Sequence, residues 1–212
     1  MKIKIKERLR TLADRQKPRA ARLQCEMTSQ TSLLLPTTIK ISQVNSLTDE
    51  DFIIKFGNVI EHCSLVAAAV AKSRPFQSLQ HLHAEICSFI DELPVKGREG
   101  ILRSHPDLAG RAAMAGKLTQ ESRQEQECAG LGSLTEEERS NLNTMNKSYR
   151  QKFGFPFVIC ARLNKKEAIL LGLRSRLHNS PEEELHTGIE EVKKIALLRL
   201  KILVSDDMGS KM

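Results

Sequence analysis

The sequence predicts an all-α fold, a compact orthogonal bundle of about seven to nine helices in a single domain. Three observations carry this. Apolar residues from Ile41 onward recur at three- and four-residue spacing, and several of those runs open on a Ser or Thr placed to cap a helix. Aromatics make up only 4% of the 212 residues, with no Trp and the single Tyr149, so a sandwich or barrel built on aromatic and β-branched strands is disfavoured. A hydrophobic share of 40% is enough to supply one core.

The elements follow in chain order. Residues 1–39 form a basic stretch and then a Ser/Thr-rich piece broken by Pro36, expected to be disordered or a frayed helix. Being Arg-rich with few acids, this piece suits a mitochondrial presequence, while Met27 offers the plainer account of an upstream start. The helical domain is expected over 40–205. Thr48 caps a helix from Asp49 towards His62, and Ser78 opens one with Leu79, Leu82, Ile86, Phe89, Ile90 and Leu93 on one stripe. Thr119 caps a segment closed by Ala129–Gly130. Thr135 and Glu138 form a capping box ahead of Leu142, Met145, Tyr149 and Phe153. Ser180, Pro181 and Glu183 start the last helix, which buries Leu185, Ile189, Val192, Ala196 and Leu203. Residues 206–212 are a tail.

Charge and cysteines narrow the function. The net charge is +7, but residues 1–26 hold nine Lys/Arg against three acids, which leaves +1 for the rest. A near-neutral body does not offer a broad phosphate-binding face, so nucleic acid is not an expected partner. No run approaches the roughly 18 apolar residues of a bilayer span. The five cysteines, Cys25, Cys63, Cys87, Cys128 and Cys160, show no C-x-x-C pair and read as reduced thiols, mostly small core residues. His81 and His83 complete no four-ligand metal set and are expected on a solvated helix turn.

Polar residues break the helical pattern at four places. Arg199 falls within about 40° of the apolar stripe of the last helix, so it demands an anionic partner. A structural salt bridge and a substrate carboxylate both satisfy that demand. Ser122, Glu125 and Gln126 project from one helix face, which by default is a solvated face. His105 precedes Pro106, which ends the helix of Ile101 and Leu102 and turns the ring; it is a local hydrogen-bonding residue or an acid/base. Phe153–Ala161 combines Gly154 and Pro156 with apolar residues, so its backbone groups need partners from protein or ligand.

In this order the signals resemble the 2-oxo-4-hydroxy-4-carboxy-5-ureidoimidazoline (OHCU) decarboxylase family over about Ile41–Leu203. The carrying strings are Phe56-Gly57, Arg74-Pro75-Phe76, His105-Pro106-Asp107-Leu108-Ala109-Gly110, Glu125-Gln126 with Ala129-Gly130-Leu131, Asn146, Tyr149, Phe153–Phe157 and Ile195–Leu200. Ser64-Leu65-Val66 stands where many members have proline and tryptophan.

The resemblance implies an all-helical homodimer that releases (S)-allantoin in urate degradation. It implies a catalytic set of His105, Glu125 and Arg199, with His105 as acid/base and Arg199 orienting the anionic substrate. Substrate would be lined by Pro106, Ser122, Arg123, Gln124, Glu125, Gln126, Phe157, Val158, Ile159, Cys160 and Ala161. No metal or cofactor is implied, because a ring C=N bond next to the carboxylate carbon is the substrate's own electron sink. Ser210-Lys211-Met212 resembles a peroxisomal address read by an import receptor, so the peroxisome is expected ahead of cytoplasm or mitochondrion. The competing reading is a non-enzymatic helical interaction module whose basic tail binds nucleic acid or membrane.

Overall fold

The structure is a computed structural model and describes residues 38–207. The expectations for residues 1–37, Cys25 and Met27 among them, and for Ser210-Lys211-Met212 lie outside the described residues. Within them the chain is all-α apart from one pair of two-residue strands. In order these are β1 (Ile39–Lys40), α1 (Ile41–Asn45), α2 (Asp49–Phe56), α3 (Ser64–Val70), α4 (Leu79–Glu92), α5 (Val95–Arg103) and α6 (Arg111–Met114). Then follow α7 (Gln120–Cys128), α8 (Glu136–Phe153), α9 (Lys166–Arg176), α10 (Pro181–Leu203) and β2 (Val204–Ser205). Ten helices are thus described where seven to nine were expected; α1 and α6, at five and four residues, are too short to show a period.

The caps stand where the sequence places them. The Thr48, Ser78 and Thr119 side chains accept from the backbone N–H groups of Asp51, His81 and Ser122. Thr135 with Glu138 and Ser180 with Glu183 form complete capping boxes, and Pro181 sits at the first turn of α10. The helix from Asp49 stops at Phe56 rather than reaching His62. At Gly57 a Cβ would come to 2.6 Å from the Ile53 carbonyl oxygen, so the chain turns out of the helix at its one side-chain-free position.

Helix α10 is the axis of the bundle and packs on α4, α5 and α8. Its buried face comprises Leu185, Ile189, Val192, Ile195, Ala196 and Leu200, with Arg199 among them and Leu203 at the margin. At Gly188 it comes so close to α5 that an added Cβ would meet Leu102 Cδ1 at 3.0 Å. A second buried group ties α8 to α9 and α10. Glu184 is inaccessible to solvent and accepts hydrogen bonds from Tyr149, Arg176 and Asn179, and the Arg176 guanidinium lies over the Phe157 ring.

The two strands pair in parallel, Ile39 opposite Val204 and Lys40 opposite Ser205. Asp207 accepts from the Ser42 hydroxyl at 2.8 Å and Asp206 from the Leu79 backbone N–H at 2.6 Å. Together they clasp the beginning of the described chain to its end.

Of the four described cysteines, Cys160 is buried, Cys63 and Cys87 are half-buried and Cys128 is exposed, so among the described residues Cys160 alone is a fully enclosed core cysteine. His81 and His83 are half-buried rather than solvated: His83 Nε2 lies 2.9 Å from the Lys193 carbonyl oxygen, and His81 Nδ1 accepts from the Gln77 N–H. Among the described residues, no helix is long and apolar enough to cross a membrane, and no group of three His, Cys, Asp or Glu is arranged to hold a metal ion.

Candidate active site

The site forms where α5 ends, where α7 presents its polar face, and where the broken segment after α8 passes between them. Helix α5 ends at Arg103, and the Ser104-His105 turn keeps His105 N–H on the Leu102 carbonyl at 3.1 Å. Pro106 blocks continuation of the helix. The ring then folds back onto its own helix, with Nδ1 3.0 Å from the Ile101 carbonyl oxygen. A carbonyl only accepts, so Nδ1 carries the hydrogen and Nε2 presents a lone pair. Nε2 is buried and has no hydrogen-bond partner among the described residues. Burial pushes this imidazole down from 6.5 to about 4, and the Arg199 charge adds to the drop against the opposing pull of the Ile101 carbonyl and Glu61. At neutral pH His105 is therefore an uncharged base facing a pocket.

That pocket is walled by His105, Pro106, Ser122, Glu125, Gln126 and the Phe157–Ile159 segment, with Ala161, Leu108 and Ile195 completing it. Helix α7 turns Ser122, Glu125 and Gln126 inward, so the polar stripe is a buried face and not the solvated one that its composition suggests. The reason lies opposite. Glu125 receives Arg199 in two parallel bonds, Nε to Oε1 and Nη2 to Oε2, both 2.8 Å, and Ser122 Oγ accepts from Nη2 at 3.3 Å. Gln126 Oε1 accepts the Ala109 N–H at 2.9 Å, which leaves its amide nitrogen as the donor. Ala109 itself holds a left-handed φ of 48°, and Asn146 Nδ2 secures the adjacent Leu108 carbonyl at 3.2 Å. The turn after His105 is thus pinned by α7 and α8.

Helix α8 terminates at Gly154 with φ 77°, a conformation that glycine adopts without strain, and the chain runs through Phe157–Cys160 outside any helix or strand. Protein groups take part of its backbone: Val158 O accepts from Arg176 Nη1 at 2.9 Å, and Cys160 N–H donates to Glu191 at 2.8 Å.

Arg199 is 3% exposed, and of the two partners open to it, a structural salt bridge and a substrate carboxylate, the structure shows the first. Besides Glu125, its Nη1 lies 2.8 Å from the Asn58 carbonyl oxygen and 2.8 Å from Glu61 Oε2. Burial works against the charge, but the two carboxylates outweigh it and hold the guanidinium above its ordinary range. Each of its nitrogens already meets a protein acceptor, and through two of them Arg199 fixes Glu125. It borders a different cavity, with Lys55, Asn58, Gln124 and Arg162, to which Glu125 is common.

Three expected lining residues are not in the wall of this pocket, although Gln124 lines the cavity that shares Glu125 with it. Arg123 and Gln124 occupy the exposed side of α7, as the helical period requires once Ser122 and Glu125 face inward, and Arg123 reaches the Gly116 carbonyl instead. Cys160 is buried between Ile159 and Ala161, which do line the pocket, and burial pushes its thiol up to about 11.

Sequence reasoning missed Glu61, Thr119 as a side-chain donor, Leu108 and Ile195. Glu61 is 1% exposed, and its Oε1 accepts the Thr119 hydroxyl at 2.8 Å. Burial raises its pKa, but Arg199 and Thr119 outweigh this and bring it below the usual carboxylate range. Its sequence signal is an acid set among Val59, Ile60, Cys63 and Val66, the same kind of mismatch that singles out Arg199.

A neutral imidazole held at a pocket wall beside an arginine-locked carboxylate is the equipment of enzymes that move protons on a small polar substrate. The comparisons with known proteins agree. The family model for OHCU decarboxylase matches residues 45–201, and the chain belongs to that family. A 2-oxo-4-hydroxy-4-carboxy-5-ureidoimidazoline decarboxylase from Amia calva is 55% identical over 162 residues, which are 76% of this chain and 93% of that one. A crystal structure of (S)-allantoin synthase superposes with a TM-score of 0.62 at 24% identity, covering 77% of this chain and 54% of the other, so this chain spans about half of its length. A crystal structure of OHCU decarboxylase in the presence of (S)-allantoin gives a TM-score of 0.56 at 24% identity, over 73% and 96% of the two chains.

Proposed function

We propose that this protein decarboxylates 2-oxo-4-hydroxy-4-carboxy-5-ureidoimidazoline to (S)-allantoin without a cofactor, with His105 as the acid/base. The observation that carries the reading is the His105 ring: neutral, fixed by the Ile101 carbonyl, and with Nε2 buried and unpartnered at the pocket wall. The carbon–carboxylate bond at C4 breaks, carbon dioxide leaves, and the electron pair moves into the neighbouring C5=N bond. This yields an enol at C4–C5 and places a negative charge on nitrogen, which a proton from solvent neutralises. The hydroxyl proton then leaves as a carbonyl forms at C4, and a proton arrives at C5 from one face. His105 Nε2 accepts the first and returns one to carbon. Overall the anion takes up one proton.

The remaining wall has matching tasks. Glu125, held rigid by Arg199, accepts from the hydroxyl or ureido N–H, and the Gln126 amide nitrogen donates to a substrate oxygen. Ser122 and the Phe157–Ile159 backbone complete the polar contacts, and preorganised groups of this kind lower a barrier without reorganising during the reaction. The homodimer and the peroxisomal address belong to the same proposal; they rest on the family resemblance and on Ser210-Lys211-Met212.

The test follows freshly generated substrate by circular dichroism, with wild type and His105→Asn in parallel and no added cofactor. Rapid formation of one allantoin enantiomer, lost in the variant, is expected. Racemic product at the spontaneous rate from folded wild type overturns the assignment.

A further inference from the structure

The cluster around Arg199 holds more negative charge than one arginine requires. Glu125 matches it alone, with two parallel hydrogen bonds. Glu61, 1% exposed, nonetheless brings a second carboxylate to 2.8 Å from Nη1. Its Oε2 accepts no well-aligned hydrogen bond there, so the contact is one of charge rather than of bond geometry. Two carboxylates and one guanidinium leave a net −1, buried beside a pocket whose proposed substrate is an anion. Such a charge disfavours both burial and substrate binding, and stability or affinity alone gives no reason to keep it.

Proton transfer does give a reason. The charged or titratable groups facing Glu61 and His105 are Arg199 from α10, Glu125 from α7 and His62, whose Nε2 lies 3.8 Å from Glu61 Oε1; Glu121 is tied to the Asn58 amide. The Arg199 charge opposes a proton on His105, whereas Glu61 favours one. With Glu125 committed to Arg199 and to the pocket, Glu61 supplies the extra negative charge and is not part of the pocket wall. We propose that Glu61 is a positioning residue of the reaction: it screens His105 from the Arg199 charge, so that the imidazole can take up the substrate's proton, while somewhat weakening the binding of the anion. This rests on the decarboxylase reading above.

The experiment compares wild type, Glu61→Gln and Glu61→Asp by steady-state decarboxylation across pH, with the His105 titration followed by NMR in the free proteins. The Gln variant keeps the shape and loses the charge, whereas the Asp variant keeps the charge. Expected for Gln is a kcat lower by about tenfold or more, a KM unchanged or lower, and a His105 titration moved to lower pH. Asp should restore much of kcat. A raised KM with unchanged kcat, an unmoved His105 titration, or failure of the Gln variant to fold would each overturn the proposal, the last by making the charge a requirement of folding. An inactive wild type would instead overturn the decarboxylase reading, a result that the His105 titrations leave separate.

Discussion

The acid titration of His105 can be worked out from its surroundings. The ring is buried, and burial pushes its titration from 6.5 down to about 4 against the opposing hydrogen bond to Ile101. At pH 5.5 an ordinary imidazole is roughly 90% protonated, whereas one titrating at about 4 is roughly 97% neutral. Because kcat/KM reports the free enzyme, it should hold from neutral pH to about 5 and fall only as pH approaches 4. The stability consequence has a definite sign. The unfolded chain takes up this proton near 6.5 and the folded chain only near 4, so stability is unaffected above 6.5 and is lost as pH falls from there towards 4. The full loss is about 3 kcal/mol. The assays are kcat/KM corrected for spontaneous decay at each pH, and urea unfolding of wild type and His105→Asn at pH 7.5 and 4.5. Between those pH values wild type should lose about 2–3 kcal/mol more than the variant. An activity limb near 6.5, or equal losses in the two proteins, would mean that water reaches Nε2 and that the burial argument is wrong.

Two further outcomes follow from packing and charge. Arg199→Met should lower unfolding free energy by about 3–5 kcal/mol in urea titrations, because it leaves Glu61 and Glu125 buried without their cation. Gly188→Ala should cost about 1–3 kcal/mol through the crowding of Leu102. It should also lower kcat, since Leu102 lies three residues before His105 on α5; unchanged melting would show that Leu102 has room to move.

The helices were legible where their ends carry chemistry. Thr48, Ser78, Thr119, Thr135 and Ser180 each accept the backbone N–H expected of a cap, because capping is a local interaction. His105 was legible as well, since Pro106 dictates the break that turns the ring. What lay beyond the sequence was the partner of each buried charge. Arg199 reads as in need of an anion, yet nothing local says whether that anion is a substrate or Glu125, which lies 74 residues away in sequence. The same gap made the Ser122–Gln126 face look solvated and hid Glu61, whose counterpart is on α10. Periodicity shows that a polar group points inward; only the packing of distant helices shows what it meets.

The clasp of β1 on β2 makes the domain a ring in its topology. Because the strands are parallel, Thr38 lies beside Ile202 and Asp207 beside Ser42, so the two ends of the described chain leave from opposite ends of the pair. Joining them calls for a linker that runs back along the pair, and cutting a distant loop should then yield a permuted chain with the same site.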